Sequence, residues 1–352
     1  DGSHIGTVTL SDGTVLTFAV VLNPAYYGVY NIKYKDGSND APVFVAYNED
    51  KDNSNNKGYK LIATGQYQAD AEADKMFTIV PNGTGYSLSA QGKFLKSPTL
   101  GAWNHLMFSD DASEAGSYII EETGTKDVFK IHSTGEGINY INDYDNFVFG
   151  NDKSNKENLS TFTISEVNTY AMNITDAGMA TLCLPFNVVM PEGMYAYDLA
   201  STSIEDSETE GKYVCTMQAI AKPGETLKKG TPVIVKAEEG SYSIVITMSD
   251  SNAKTSMGGS LLRGNFVKQD LQQGTTTRKY IFADGDSGIG FYPMQAEGGT
   301  IAANKCWMEW ARQEGMNEAR AFVIRFDEET GIDDVILGSK PDDEHLDRKS
   351  VV

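Results

Sequence analysis

Three times in the first half of the chain, the same set of four short apolar segments recurs in the same order. Each set opens on an aromatic-x-aliphatic triplet: Tyr30-Asn31-Ile32, Tyr86-Ser87-Leu88 and Phe129-Lys130-Ile131. Second segments come next at Val43-Phe44-Val45, Phe94-Leu95 and Tyr140-Ile141, and weaker third ones at Leu61-Ile62, Met107-Phe108 and Val148-Phe149. The sets close on Phe77-Thr78-Ile79, Tyr118-Ile119-Ile120 and Phe162-Thr163-Ile164, which start 41 and then 44 residues apart. A repeat of this length cannot bury an apolar face by itself, so the copies must pack around one shared core. Segments this short, rich in aromatic and β-branched residues, are strands rather than helices.

Three units of four strands are what a β-trefoil requires, with paired aromatics filling a barrel and its cap around a pseudo-threefold axis. The pattern resembles the ricin-type and fascin-type trefoil superfamily across residues 25–167. It departs from the lectin members at their Gln-x-Trp triplet, which stands here as Phe77-Thr78-Ile79, Tyr118-Ile119-Ile120 and Phe162-Thr163-Ile164. The core role survives that change, and sugar binding is then implied by fold alone.

Residues 1–24 form a hairpin around Ser11-Asp12-Gly13-Thr14, where Asp-Gly supplies a tight turn. That hairpin either ends a preceding module or packs against the next one. After residue 167 the spacing changes. Strand candidates run through Thr181-Leu182-Cys183-Leu184, Tyr213 to Ile220, Pro232 to Lys236, Tyr242 to Ile246, Tyr280-Ile281-Phe282, Cys306 to Trp310 and Phe322 to Phe326. Their irregular, turn-separated spacing predicts a β-sandwich over 168–335. The expected fold class is therefore all-β, a β-trefoil followed by a β-sandwich.

In this second half "DAGMATLCLPFNVVMPEGMYAYD", "LKKGTPVIVKAEEGSY", "GTIAANKCW" and "FVIRFDEETGIDDV" resemble the C-terminal β-domain of large secreted Bacteroidetes proteins. That resemblance implies an extracellular or cell-surface address and no particular reaction. It also makes residues 336–352 a charged linker towards a further sorting tail, and the chain a part of a longer polypeptide.

Charge narrows the partners. With 49 acidic against 29 basic residues the formal charge is −20, a field that repels phosphate backbones and anionic lipid. No nucleic acid is expected as a partner, and no stretch approaches the ~20 apolar residues of a membrane span. Acidity of this kind also simply keeps a secreted protein soluble. The three cysteines, Cys183, Cys215 and Cys306, form no C-x-x-C pair, which argues against a zinc knuckle or a thioredoxin-like site. Buried free thiols are expected, with one bridge between Cys183 and Cys215 left open.

Several motifs imitate chemistry. Gly285-Asp286-Ser287-Gly288 matches a serine-protease nucleophile loop, but none of the four histidines stands in the context such a nucleophile needs, and a Gly-rich turn between strands accounts for it. Residues 48–56, "NEDKDNSNN", look like a calcium loop. Counted from Asp50, the sixth position is Asn55 instead of Gly and the twelfth is Leu61 instead of Glu, so the match fails. Cys306 sits in the alternating "CWMEW" and reads as a buried thiol. With no metal-binding or cofactor motif, none is expected to be needed.

Two loops carry sugar-like recognition chemistry. "GAWNHLMF" places Trp103, Asn104 and His105 between the second and third strands of the middle repeat, and "NDYDNF" places Asn142, Asp143, Tyr144 and Asp145 at the corresponding point of the third. A sugar ring wants an aromatic platform for its C–H face and amide or carboxylate partners for its hydroxyls. Lectin trefoils carry such groups at this position. The plainer alternative has Trp103 capping the barrel and the Asn and Asp residues making turns. The expected function is non-catalytic binding of a glycan or glycoprotein, or adhesion, outside the cell. The competing readings are an accessory region of a secreted hydrolase, a trefoil peptidase inhibitor and a structural spacer.

Overall fold

The computed structural model describes residues 3–9, 11–21, 26–37, 39–48, 58–64, 67–98, 105–134, 139–145, 148–153, 159–207, 212–311 and 319–327. The chain divides into two compact units, residues 1–69 with 75–166 and residues 70–74 with 167–352.

The first unit begins with β1 (Ser3–Thr9) and β2 (Val15–Val21), an antiparallel hairpin that forms its own two-stranded sheet. Its turn is held by Asp12, whose carboxylate accepts from the Thr14 backbone N–H at 2.9 Å. Twelve further strands come after it in three sets of four. The first repeat is β3 (Gly28–Asp36), β4 (Asn39–Asn48), β5 (Gly58–Ala63) and β6 (Met76–Asn82). The second is β7 (Gly85–Ala90), β8 (Lys93–Leu95), β9 (Phe108–Ser109) and β10 (Tyr118–Glu122). The third is β11 (Phe129–Ser133), β12 (Asn139–Asp145), β13 (Val148–Lys153) and β14 (Phe162–Glu166).

The first and fourth strands of each repeat pair in a ring, β3–β6–β7–β10–β11–β14 and back to β3. That closed six-stranded barrel leaves none of its strands as an open sheet edge. The middle strands form the hairpins β4–β5, β8–β9 and β12–β13. These hairpins touch one another cyclically, through Lys60↔Met107, His105↔Gly150 and Val148↔Ile62. Barrel, three hairpins and threefold cycle together are a β-trefoil.

Side-chain alternation explains why the repeats share one core. Phe77, Tyr118 and Phe162, the aromatics that head the three closing triplets, are all fully buried. They join Ile32, Leu88 and Ile131 from the first strands and Leu61, Leu106 and Phe149 from the cap in a single cluster. At one mouth of the barrel Tyr26 meets Tyr30, Tyr86 and Phe129 with centroids 5.6, 5.4 and 6.2 Å away, edge-on to each. Those three partners are the aromatics that open the three repeats, so one ring plugs a threefold site.

The second unit contains a four-stranded sheet in the order β15 (Thr169–Ile174), β23 (Gly240–Thr247), β17 (Asn187–Val189), β21 (Thr226–Leu227). Its larger sheet runs β16 (Met179–Leu182), β22 (Val233–Lys236), β18 (Tyr195–Asp198), β20 (Lys212–Ala221), β30 (Ala321–Phe326), β27 (Gly288–Pro293), β26 (Thr277–Gly285), β29 (Cys306–Ala311), β24 (Leu262–Gly264). β19 (Ile204–Asp206) pairs with β20, and β25 (Gln269–Leu271) with β28 (Gly299–Ile301). The β20–β30 pair is parallel. One face of the large sheet buries Tyr197, Tyr213, Ile234, Tyr280, Phe291, Met308, Trp310 and Phe322 together. Val233 and Val235 on the opposite face of β22 are fully buried as well, as befits a strand covered on both sides. Both units are all-β.

The sequence-predicted strand 181–184 is shifted: β16 ends at Leu182, and the Cys183 N–H leaves the ladder to donate to the Asn304 carbonyl at 3.0 Å. Leu184 precedes Pro185, which restricts its backbone. Residues 285–288 form a two-residue hairpin turn with Gly285 opposite Gly288, and the Ser287 N–H donates to the Tyr292 hydroxyl at 3.1 Å. All three cysteines are free and buried. Residues 49–57, which hold most of the calcium-loop lookalike, and 328–352 lie outside the described residues.

Candidate functional site

The cap hairpins of the trefoil are the places where side chains leave the core and meet solvent. In the first hairpin the strand alternation of β4 and β5 puts Tyr47 opposite Tyr59. Their rings meet edge to face at 5.4 Å. Tyr47 is 53% exposed, one of four large hydrophobic side chains that stand out among the described residues. Lys93 of β8 extends over the Tyr59 ring, its ammonium 4.1 Å from the centroid, a cation–π contact. The same ammonium is ion-paired with Asp110, whose side chain is 84% exposed. Burial pushes the Tyr59 phenol up, and the Asp110 carboxylate and Tyr47 add to the effect. Tyr59 therefore stays neutral well above physiological pH, and Asp110 presents an oxygen to solvent beside an aromatic pair.

The residues singled out in sequence fall differently. Trp103 and Asn104 lie outside the described residues. His105 is buried, and its Nδ1 stands 2.9 Å from the ammonium of the fully buried Lys60, where the first and second hairpins meet. Asn142 is also buried, and its Oδ1 accepts from the Ser160 N–H at 2.6 Å. The Ser160 hydroxyl in turn accepts from the Asp143 N–H at 2.8 Å. This reciprocal pair ties β12 to the segment leading into β14, so Asn142 holds the fold together at this point. Tyr144 and Asp145 belong to β12, where the pairing with β13 slips register between Asp143 and Asp145, a bulge that bends the strand. The side chains of both lie outside the described part of the structure.

A second polar cluster joins the second and third repeats. The Tyr140 hydroxyl donates to Glu121 at 2.8 Å, and the His132 ring lies 4.9 Å from that of Tyr140. Burial, then the Glu121 hydrogen bond, pushes the Tyr140 phenol up. Among the described residues no group of three or more His, Cys, Asp or Glu is placed to hold a metal ion.

Tyr47, Tyr59 and Asp110 were not visible as a site in sequence. Tyr47 and Tyr59 flank a long loop, and Asp110 is one of many surface acids. Only the pairing register brings them together.

No family model matches the chain, and no curated protein matches it. Among solved structures, the chain is similar to SeviL bound to asialo-GM1 saccharide, with 17% identity over 40% of this chain and 98% of that one and a TM-score of 0.28. It is also similar to a mosquitocidal holotoxin, with 10% identity over 82% of this chain and 41% of that one and a TM-score of 0.31. The trefoil assignment rests on the strand pairings of the barrel and its hairpins.

Proposed function

We propose that the trefoil is a non-catalytic glycan-binding module that works outside the cell as part of a longer protein. The observation that carries this reading is the solvent-facing Tyr47 on a cap hairpin, braced by Tyr59, whose ring Lys93 links to the exposed Asp110 carboxylate. A sugar presents C–H groups to an aromatic ring and hydroxyls to an acceptor, and this cluster offers both where the first and second hairpins come together through Lys93. Its charged neighbour Lys93 is already committed to Asp110 and to the Tyr59 ring. The formal charge of −20 selects against sialylated and sulfated glycans. The ligand is therefore a neutral glycan.

A glycan array probed with the 1–352 chain tests this, beside Tyr47→Ala, Trp103→Ala and Tyr144→Ala. The expected result is binding to neutral glycans that falls at least tenfold in Tyr47→Ala. Loss in Trp103→Ala or Tyr144→Ala with Tyr47→Ala unaffected moves the site to the second or third hairpin. A blank array overturns the lectin reading and favours an accessory region of a secreted hydrolase.

A further inference from the structure

The second unit contains a cavity of about 230 Å³ bounded by β15, β16 and the turn that leads into β29. Tyr170 to Asn173 all line it in succession, and so do Met179 to Leu182. Successive side chains of a strand point to opposite faces, so a cavity touched by four consecutive residues runs along the strand's edge. Both strands are in fact terminal: β15 pairs only with β23 and β16 only with β22 among the described residues. The slot is thus flanked by two edges with unused backbone donors and acceptors.

At one end the slot is lined by the 303–305 turn. The Cys183 N–H donates to the Asn304 carbonyl at 3.0 Å, which aligns the 303–305 turn along the prolongation of the β16 edge. By the two-residue alternation of the ladder, Thr181 and Met179 direct their N–H and C=O to the same side as Cys183. The turn is held firmly, because the Lys305 N–H donates to Asn265 Oδ1 at 3.0 Å and the Asn265 amide donates to the carbonyls of Val267 and Ala302.

Two side chains at this end have unmet chemistry. Asn304 is 3% exposed, and neither atom of its amide has a hydrogen-bond partner. Lys305 is half-buried and lines the cavity with no carboxylate paired to its ammonium among the described residues. Burial pushes its pKa down, the mark of a cation held where water solvates it poorly. A partly desolvated cation gains from a bound anion that takes over the role of the lost water.

We infer that this slot binds the free C-terminus of an extended peptide, with its main chain added to the β16 edge at Thr181 and Met179 and its terminal carboxylate on Lys305. Strand addition supplies the hydrogen bonds, and capture of a chain end by a cation at the turn supplies the direction. A charge-paired carboxylate fits this end better than a mid-chain residue, because the Asn304 carbonyl already takes the Cys183 N–H.

The test exposes the full 1–352 chain to a mixed library of four-residue peptides with free C-termini and, separately, to the same library amidated. Hydrogen exchange of the Thr181 amide and saturation-transfer signals from the peptides are read in each case. The expected outcome is slowed exchange at Thr181 with the free acids and at least a tenfold weaker effect with the amides. Lys305→Met should erase the difference between the two libraries, and Lys305→Arg should keep it. Equal protection by acids and amides, or protection by neither, overturns the inference. Full protection by acetate alone also overturns it, since the site would then hold an anion without a strand.

Discussion

At the scale of single residues, the three thiols give the most direct check of the packing. Burial pushes Cys183 up to about 12 from an ordinary 9.0, and it raises Cys215 and Cys306 as well. A thiol reacts through its thiolate, so none should react with a water-soluble disulfide reagent at pH 8 in the native state, and all three should react after unfolding. The same shift sets a pH dependence. Below pH 9 both states hold the proton, and the contribution to stability is complete. Between 9 and 12 the unfolded thiol ionises and the folded Cys183 does not, so stability falls with rising pH by up to ~1.4 kcal/mol per pH unit per thiol. Denaturant melts at pH 8, 9.5 and 11 read this directly, and a flat profile would contradict the burial. Free, buried thiols were legible from the apolar context of Cys183 and Cys215. What was not legible is that Gly264 is required beside Cys183, where a Cβ would stand 2.3 Å from its sulfur. That contact joins residues far apart in the chain.

At the scale of elements, the fourth strand of each trefoil repeat provides the comparison. Phe77 and Phe162 are equivalent and fully buried. Phe77→Ala and Phe162→Ala should therefore destabilise the first unit by similar amounts, about 3–5 kcal/mol each. Tyr118 adds a hydroxyl that donates to the Lys96 carbonyl, so Tyr118→Phe should cost about 1 kcal/mol and leave the packing intact. Chemical denaturation followed by tyrosine and tryptophan fluorescence measures all three. Costs that differed severalfold between Phe77→Ala and Phe162→Ala would argue against threefold equivalence. The repeated triplets were readable because core positions of a repeat must be apolar in every copy. The candidate binding hairpins were not readable in the same way. Trp103 and Tyr144 stand in the sequence as aromatics among Asn and Asp, whereas Tyr47 sits in an ordinary strand, and its partner Tyr59 and its exposure are set by the fold.

At the scale of the whole molecule, the two units have separate cores, one from the barrel and cap and one from the large mixed sheet. Native-state hydrogen exchange should accordingly sort the slowest amides into two cooperative groups. Phe77, Tyr118 and Phe162 should share one opening free energy, and Tyr213, Met308 and Phe322 another. A single value for all six would mean one cooperative body.

The sequence by itself determined the class of each unit. Period-two alternation, short strands and a repeat of about forty residues leave few all-β solutions, and the charge of −20 sets up a field that repels polyanions. Tertiary structure alone decided which polar residues are free to act. His105 and Asn142 looked like ligand contacts and are buried in hydrogen bonds that join hairpins or fasten a strand. Asn304 and Lys305 carry no ligand signal in the sequence and line a slot between two sheet edges. The reason is physical: alternation along a strand is a local property, whereas exposure and the presence of a partner depend on which distant strand lies alongside.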